Sequence, residues 1–196
     1  MERLFGTAGF PWWWHTREDT IDKIDADVLA LDTRVYVAAA LRLVGGPLLP
    51  LDYARFTRAI VSTVEELGSA GGRWDAGPAL QAARHLAARA GAFAGAVDAV
   101  AAGGRGDPAR VEAANRAMVA LSRVLIPLFY TTGDRFHHDL AIPVSPLAGL
   151  QPARELSGLD PSSDGFRFAI AALVRERNRV VHALEAAAGV IDAFGL

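Results

Sequence analysis

Apolar positions recur at helical spacing in five stretches of the chain, each bounded by capping or breaking residues. The first begins after Asp25, a good N-cap residue. Val28, Leu29, Leu31, Val35, Val37, Ala38, Leu41 and Val44 then form one broad face, and Gly45-Gly46-Pro47 stops it. This predicts a helix over 26–44, with Asp32, Arg34 and Arg42 on a solvated side. Asp52 caps a second predicted helix over 53–67, whose Phe56, Ile60, Val64 and Leu67 fall at i, i+4, i+8 and i+11. Gly68–Gly72 is a break, and Trp74 is placed to staple the entry at the next cap, Asp75.

The third predicted helix, over 78–101, is built from small residues, with Leu80, Leu86, Phe93 and Val97 as its larger apolar members. Small residues let a neighbour approach closely. Gly91 and Gly95, each costing about 1 kcal/mol relative to Ala in a helix interior, are expected to serve that packing. After the loop Gly103-Gly104-Arg105-Gly106, Asp107-Pro108 opens a fourth helix over 108–125 with Val111, Ala114, Met118, Leu121 and Leu125 inward, and Pro127 is expected to end it. The last helix, over 164–194, is capped by Ser162 or Ser163. Its stripe of Phe166, Ile170, Leu173, Val180, Leu184, Ala187 and Ile191 is interrupted by Arg177, and Arg175–Arg179 reads as a solvated charged belt.

These elements predict an all-α fold, a bundle of about five helices. Phe56, Ile60, Leu173 and Val180 are the packing positions, against a neighbouring helix or a second copy. Residues 128–161 are punctuated by Pro143, Pro146, Pro152 and Pro161 and read as a long irregular loop. A loop of that length in a compact domain is usually functional. Its Phe129, Tyr130, Phe136, Leu140 and Ile142 argue for an ordered one.

One stretch does not fit a bundle. Phe10–Asp25 runs Phe-Pro-Trp-Trp-Trp-His-Thr-Arg-Glu-Asp-Thr-Ile-Asp-Lys-Ile-Asp. Exposed Trp is costly, so Trp12, Trp13 and Trp14 should fold onto the bundle or into a neighbouring chain. His15, held between bulky rings and a turn, suits metal ligation, which needs a fixed imidazole.

Composition narrows the class. The 196 residues are 52% hydrophobic, enough for a sizeable core. A net charge of −2 leaves no basic footprint for nucleic acid. The absence of cysteine excludes disulfides and thiolate zinc sites. No apolar run approaches the ~18 residues of a membrane span, and Met1-Glu2-Arg3 leads into no signal-type segment, so a cytoplasmic chain with no membrane partner is expected.

Trp14-His15-Thr16, Asp19-Thr20 and Asp22-Lys23-Ile24-Asp25 together resemble the last conserved segment of the zinc aminopeptidase and carboxypeptidase family that includes glutamate carboxypeptidase II and the transferrin receptor. The resemblance continues through Pro50-Leu51-Asp52-Tyr53-Ala54 and the closing helix around Arg175-Glu176-Arg177-Asn178-Arg179-Val180. It implies that residues 1–25 are the tail of a catalytic domain and 26–196 a transferrin receptor-like dimerisation domain. It implies that His15 is the final zinc ligand of the complete enzyme, with Asp22 or Asp19 holding its loop. The family's other zinc ligands and its catalytic Glu come from an upstream α/β domain with no counterpart here, so no catalytic residue and no cofactor is expected in this chain alone, with zinc belonging to the parent enzyme. The partners implied are a second copy and a peptidase catalytic domain.

The resemblance also implies that residues 128–161 line the substrate pocket, with Trp14, His137, His138 and Leu147 as candidates. In Ser145-Pro146-Leu147-Ala148-Gly149 the family's Ala-Gly is kept, but the Lys-Tyr that grips a terminal glutamate in glutamate carboxypeptidase II is Pro146-Leu147. The Tyr before the zinc His is Trp14. Both departures argue against recognition of an acidic C-terminal residue.

The function expected is a non-catalytic helical dimerisation domain, with the C-terminal portion of an active two-zinc exopeptidase as the alternative. His137-His138-Asp139, His85 and His182 lack the spacing of a separate metal site, and no Gly-x-Ser-x-Gly elbow or phosphate-binding glycine loop is present.

Overall fold

The computed structural model describes residues 11–102, 107–131 and 144–195. Five α-helices follow in order: α1 (Ala26–Val44), α2 (Tyr53–Gly71), α3 (Gly77–Ala102), α4 (Pro108–Tyr130) and α5 (Asp164–Ala193). Two 3-10 segments, Ile21–Lys23 and Ala148–Gly158, accompany them, and no strand occurs among the described residues. The fold is an all-α bundle with a connection before the last helix. The loop expected at 103–106 lies outside the described residues.

The chain divides into two compact units, Met1–Pro47 and Leu48–Leu196. Helix α1 belongs to the first. In the first unit, Asp25 caps α1 as expected, its carboxylate accepting from the backbone N–H of Asp27 and Val28 at 2.9 and 3.0 Å. No residue of α1 is buried.

The second unit holds the core. Helix α2 packs on α3, α3 on α5, and α5 on α4, while the 3-10 segment packs on α2 and α5. Ile60, Val64, Leu67, Leu86, Phe93, Met118, Leu121, Leu125, Leu173, Val180, Leu184 and Ile191 are buried together, the predicted inward stripes of four helices. Ser163 caps α5, its Oγ accepting from Phe166 N at 3.1 Å.

Three boundaries and one packing reason differ from the sequence reading. Helix α2 runs through Gly68 to Gly71 and ends at Gly72, whose left-handed φ of 51° suits glycine at a C-cap. The ring of Trp74 then folds back over Gly71, where any Cβ would collide with it, and its Nε1 donates to Leu67 O at 3.3 Å.

Helix α4 does not end at Pro127 but carries it inside and continues to Tyr130. A proline in a helix interior costs about 3 kcal/mol. Leu128 and Phe129, directly beyond it, are both buried. Each such side chain contributes about 1.5–3 kcal/mol, enough to carry the helix past the break.

Residues 128–161 are accordingly not one irregular loop. The first three complete α4, and Leu150, Ala153 and Leu156 of the 3-10 segment are buried in the core. In α3 the close packing is made by Ala79, Ala83 and Ala90. A Cβ at Gly91 or Gly95 would meet nothing within 4 Å, so those glycines do not serve it.

Candidate functional site

The turn before α1 is built by local hydrogen bonds. Trp14 N donates to Pro11 O at 3.0 Å and Thr16 N to Trp13 O at 2.9 Å. The Thr16 hydroxyl donates to Trp13 O at 2.6 Å and accepts from Glu18 N at 3.2 Å. These contacts set His15 at φ 60°, a left-handed conformation uncommon outside glycine. Its ring lies against Trp14, centroids 3.8 Å apart, and its side chain is exposed. Leu147 is the other non-glycine residue in this region among the described residues.

Of the two acids suggested to hold this loop, Asp22 carries the side-chain contacts. It accepts from the Thr20 hydroxyl through Oδ1 and from Lys23 Nζ at 2.6 Å through Oδ2. The Lys23 hydrogen bond, then that of Thr20, lowers its pKa from 3.8 to about 2. The carboxylate therefore stays ionised and in place at any ordinary pH.

Within this chain Trp13 is half-buried. Trp12 is 70% and Trp14 45% exposed, and Trp12 meets Trp13 edge-on at 5.6 Å between centroids.

The other candidates separate by burial. Ile60, Leu173 and Val180 are core residues of their own bundle, so they pack neighbouring helices and are not available to a second copy. Phe56 is half-buried against Phe129, at 5.0 Å between centroids, with Tyr130 beyond. Leu147, expected at a substrate pocket, is only 1% exposed. Its N–H donates to Phe129 O at 3.1 Å and its φ is 51°, which turns the side chain into the core and starts the 3-10 segment. It anchors that segment and cannot line an open pocket. His137 and His138 lie outside the described residues.

Three contacts had no signal in the pattern. The Tyr53 hydroxyl donates to Met118 O at 2.6 Å and lies 2.5 Å from Ser122 Oγ, tying α2 to α4; burial raises its pKa, opposed by the Ser122 hydrogen bond. Arg177, in the belt expected to be solvated, is largely covered and donates to Asp75 O at 2.9 Å and Asp75 Oδ2 at 3.1 Å. Gly149 lies beneath the Glu176 carboxylate, where a Cβ would collide. Spacing along one helix cannot announce a partner 102 residues away.

Cavities among the described residues of the second unit include two with polar lining. One, of about 310 Å3, is bordered by Asp52, Tyr53, Arg58, Phe93, Asp98 and Met118. The other, of about 270 Å3, lies beside His85, Val181 and Glu185. No group of three His or acidic residues that could hold a metal occurs among the described residues. Among the described residues His15 has no second and third donor grouped with it, so it fits a zinc site as one ligand. Comparison of the chain with family models, with curated proteins and with solved structures finds no match.

Proposed function

We propose that this chain is a non-catalytic helical dimerisation domain of a zinc-dependent exopeptidase, assembling a homodimer and bracing the active site of a catalytic domain. One observation carries the reading. Helix α1 exposes Val28, Leu29, Leu31, Val35, Tyr36, Val37, Leu41, Leu43 and Val44, and none of its residues is buried. So many large apolar side chains on one helix call for burial against another surface. The bundle of α2–α5 has its own core without it. The resemblance at Trp14–Asp25 supplies the kind of assembly, and the exposed Trp12 and Trp14 supply a second apolar surface beside His15 for a catalytic domain to cover. Light scattering over a concentration series tests this. The expected mass is twice the chain mass of 20.8 kDa. A monomer at every concentration contradicts it.

A second reading is favoured by the ordered turn around His15: the chain is the C-terminal portion of an active two-zinc peptidase. In that enzyme His15 would hold a zinc ion through its imidazole, and bound zinc supplies Lewis-acid activation of water. Asp22, fixed by Lys23 and Thr20, keeps the turn in register. Stoichiometric zinc and peptide hydrolysis by the purified chain alone would reverse the ranking of the two readings.

A further inference from the structure

Resting on the dimerisation reading, we infer that α1 is the seam of the dimer and that it pairs antiparallel with α1 of a second copy of this chain. The occupant follows from the charges that accompany the apolar surface. The N-terminal end of the helix carries its cap Asp25, then Asp27 and Asp32; Arg34 sits next to the centre, where it meets its own equivalent in either orientation, and the C-terminal end carries Arg42. The helix macrodipole has the opposite polarity, positive at its start and negative at its end. An antiparallel copy sets the acidic end of each helix against the basic end of the other, and opposes the two dipoles. A parallel copy brings Asp27 and Asp32 beside their own equivalents and Arg42 beside Arg42. Like charges so placed are repulsive and are a recognised source of partner orientation.

The surface is also self-sufficient for such a pair. Leu29, Tyr36 and Leu43 repeat at seven residues, as do Val28 and Val35, and Val37 and Val44, so apolar rows run the length of the helix on more than one side. A seam that takes one row leaves others for a catalytic domain. No helix among the described residues is long and apolar enough to cross a membrane, and α1 carries four charges within its length. A lipid surface is therefore the poorer occupant.

The chain has no cysteine, so single cysteines can be placed without removing any. Two full-length variants, Ala26→Cys and Thr33→Cys, are each spin-labelled, and intermolecular distances are read by pulsed dipolar spectroscopy alongside the solution mass. Antiparallel pairing centred near Val35 separates the two Ala26 sites by ~27 Å along the axis and the two Thr33 sites by only ~6 Å, at 1.5 Å per residue. The inference predicts a long distance from the first variant and a short one from the second. Short distances from both mean a parallel pair and overturn it. A dimeric mass with no intermolecular coupling at either site places the seam elsewhere, with α1 covered by its own chain or exposed; that outcome overturns the inference and spares the dimerisation reading. A monomeric mass overturns both.

Discussion

Gly91 and Gly95 show what a single residue can conceal. In a list of small residues along α3 they look like part of the close-packed face, but a Cβ at either would point into open space. The alanines beside them make the contacts. Replacing either glycine by alanine therefore removes backbone entropy from the unfolded chain and strains nothing, and should stabilise by about 1 kcal/mol each. Chemical denaturation measures this; a loss of stability would mean that the helix packs there after all. Asp22 makes the second residue-scale prediction. Its folded pKa, about 2, lies below the ordinary 3.8, so its contacts favour the folded turn fully above that ordinary value and weaken as pH falls toward 2. Carboxyl NMR should find Asp22 titrating at the low end of the acidic residues, and Lys23→Ala should return it toward the ordinary value. His15 was legible as a special position from the residues around it. Its left-handed backbone was not, because it follows from the hydrogen bonds of Thr16 and its neighbours.

At the scale of elements, period and caps located all five helices, and Asp25, Asp52, Asp107 and Ser163 cap where the pattern placed them. What failed was local reading of breakers. Pro127 and Gly68 are strong stop signals, and both lie inside helices because the residues beyond them are packed, Leu128 and Phe129 in the core and Gly71 between the ring of Trp74 and the Ala153 carbonyl of the 3-10 segment. The Ala148–Gly158 segment was hidden for a related reason: a 3-10 run with Pro152 inside has neither the helical nor the strand period. Arg177 links the elements in a way no periodicity could reveal, joining α5 to the residue ahead of α3. Its side chain is largely covered and its main partner is a backbone carbonyl, so Arg177→Ala should cost about 1.5–3 kcal/mol, the range for hydrogen bonds to a charged group. Arg177→Met, which retains the stem without the donors, separates lost packing from the lost bonds: a variant as stable as the parent would remove the pin from the account.

For the whole molecule, the informative contrast is between a bundle with a complete core and a helix with none. The same hydrophobic richness that predicts a buried α1 is present in the sequence, and its face was read correctly as apolar. What the pattern could not say is which surface covers it, because periodicity reports that a face must be buried and not by what. The second unit meets its own requirement through α2–α5 and the 3-10 segment. Helix α1 and the tryptophans beside His15 belong to the first unit, and the assembly proposed here is one that uses their apolar surfaces. Most helical stability in proteins comes from packing of an apolar face, which makes the stability of this 19-residue helix a reporter of that packing. The most direct measurement is amide hydrogen exchange across 26–44 at protein concentrations spanning the expected association. The account predicts that these amides gain strong protection as concentration rises, while those of α2–α5 stay protected throughout. Exchange in α1 at the rate of an unfolded peptide at every concentration would contradict it.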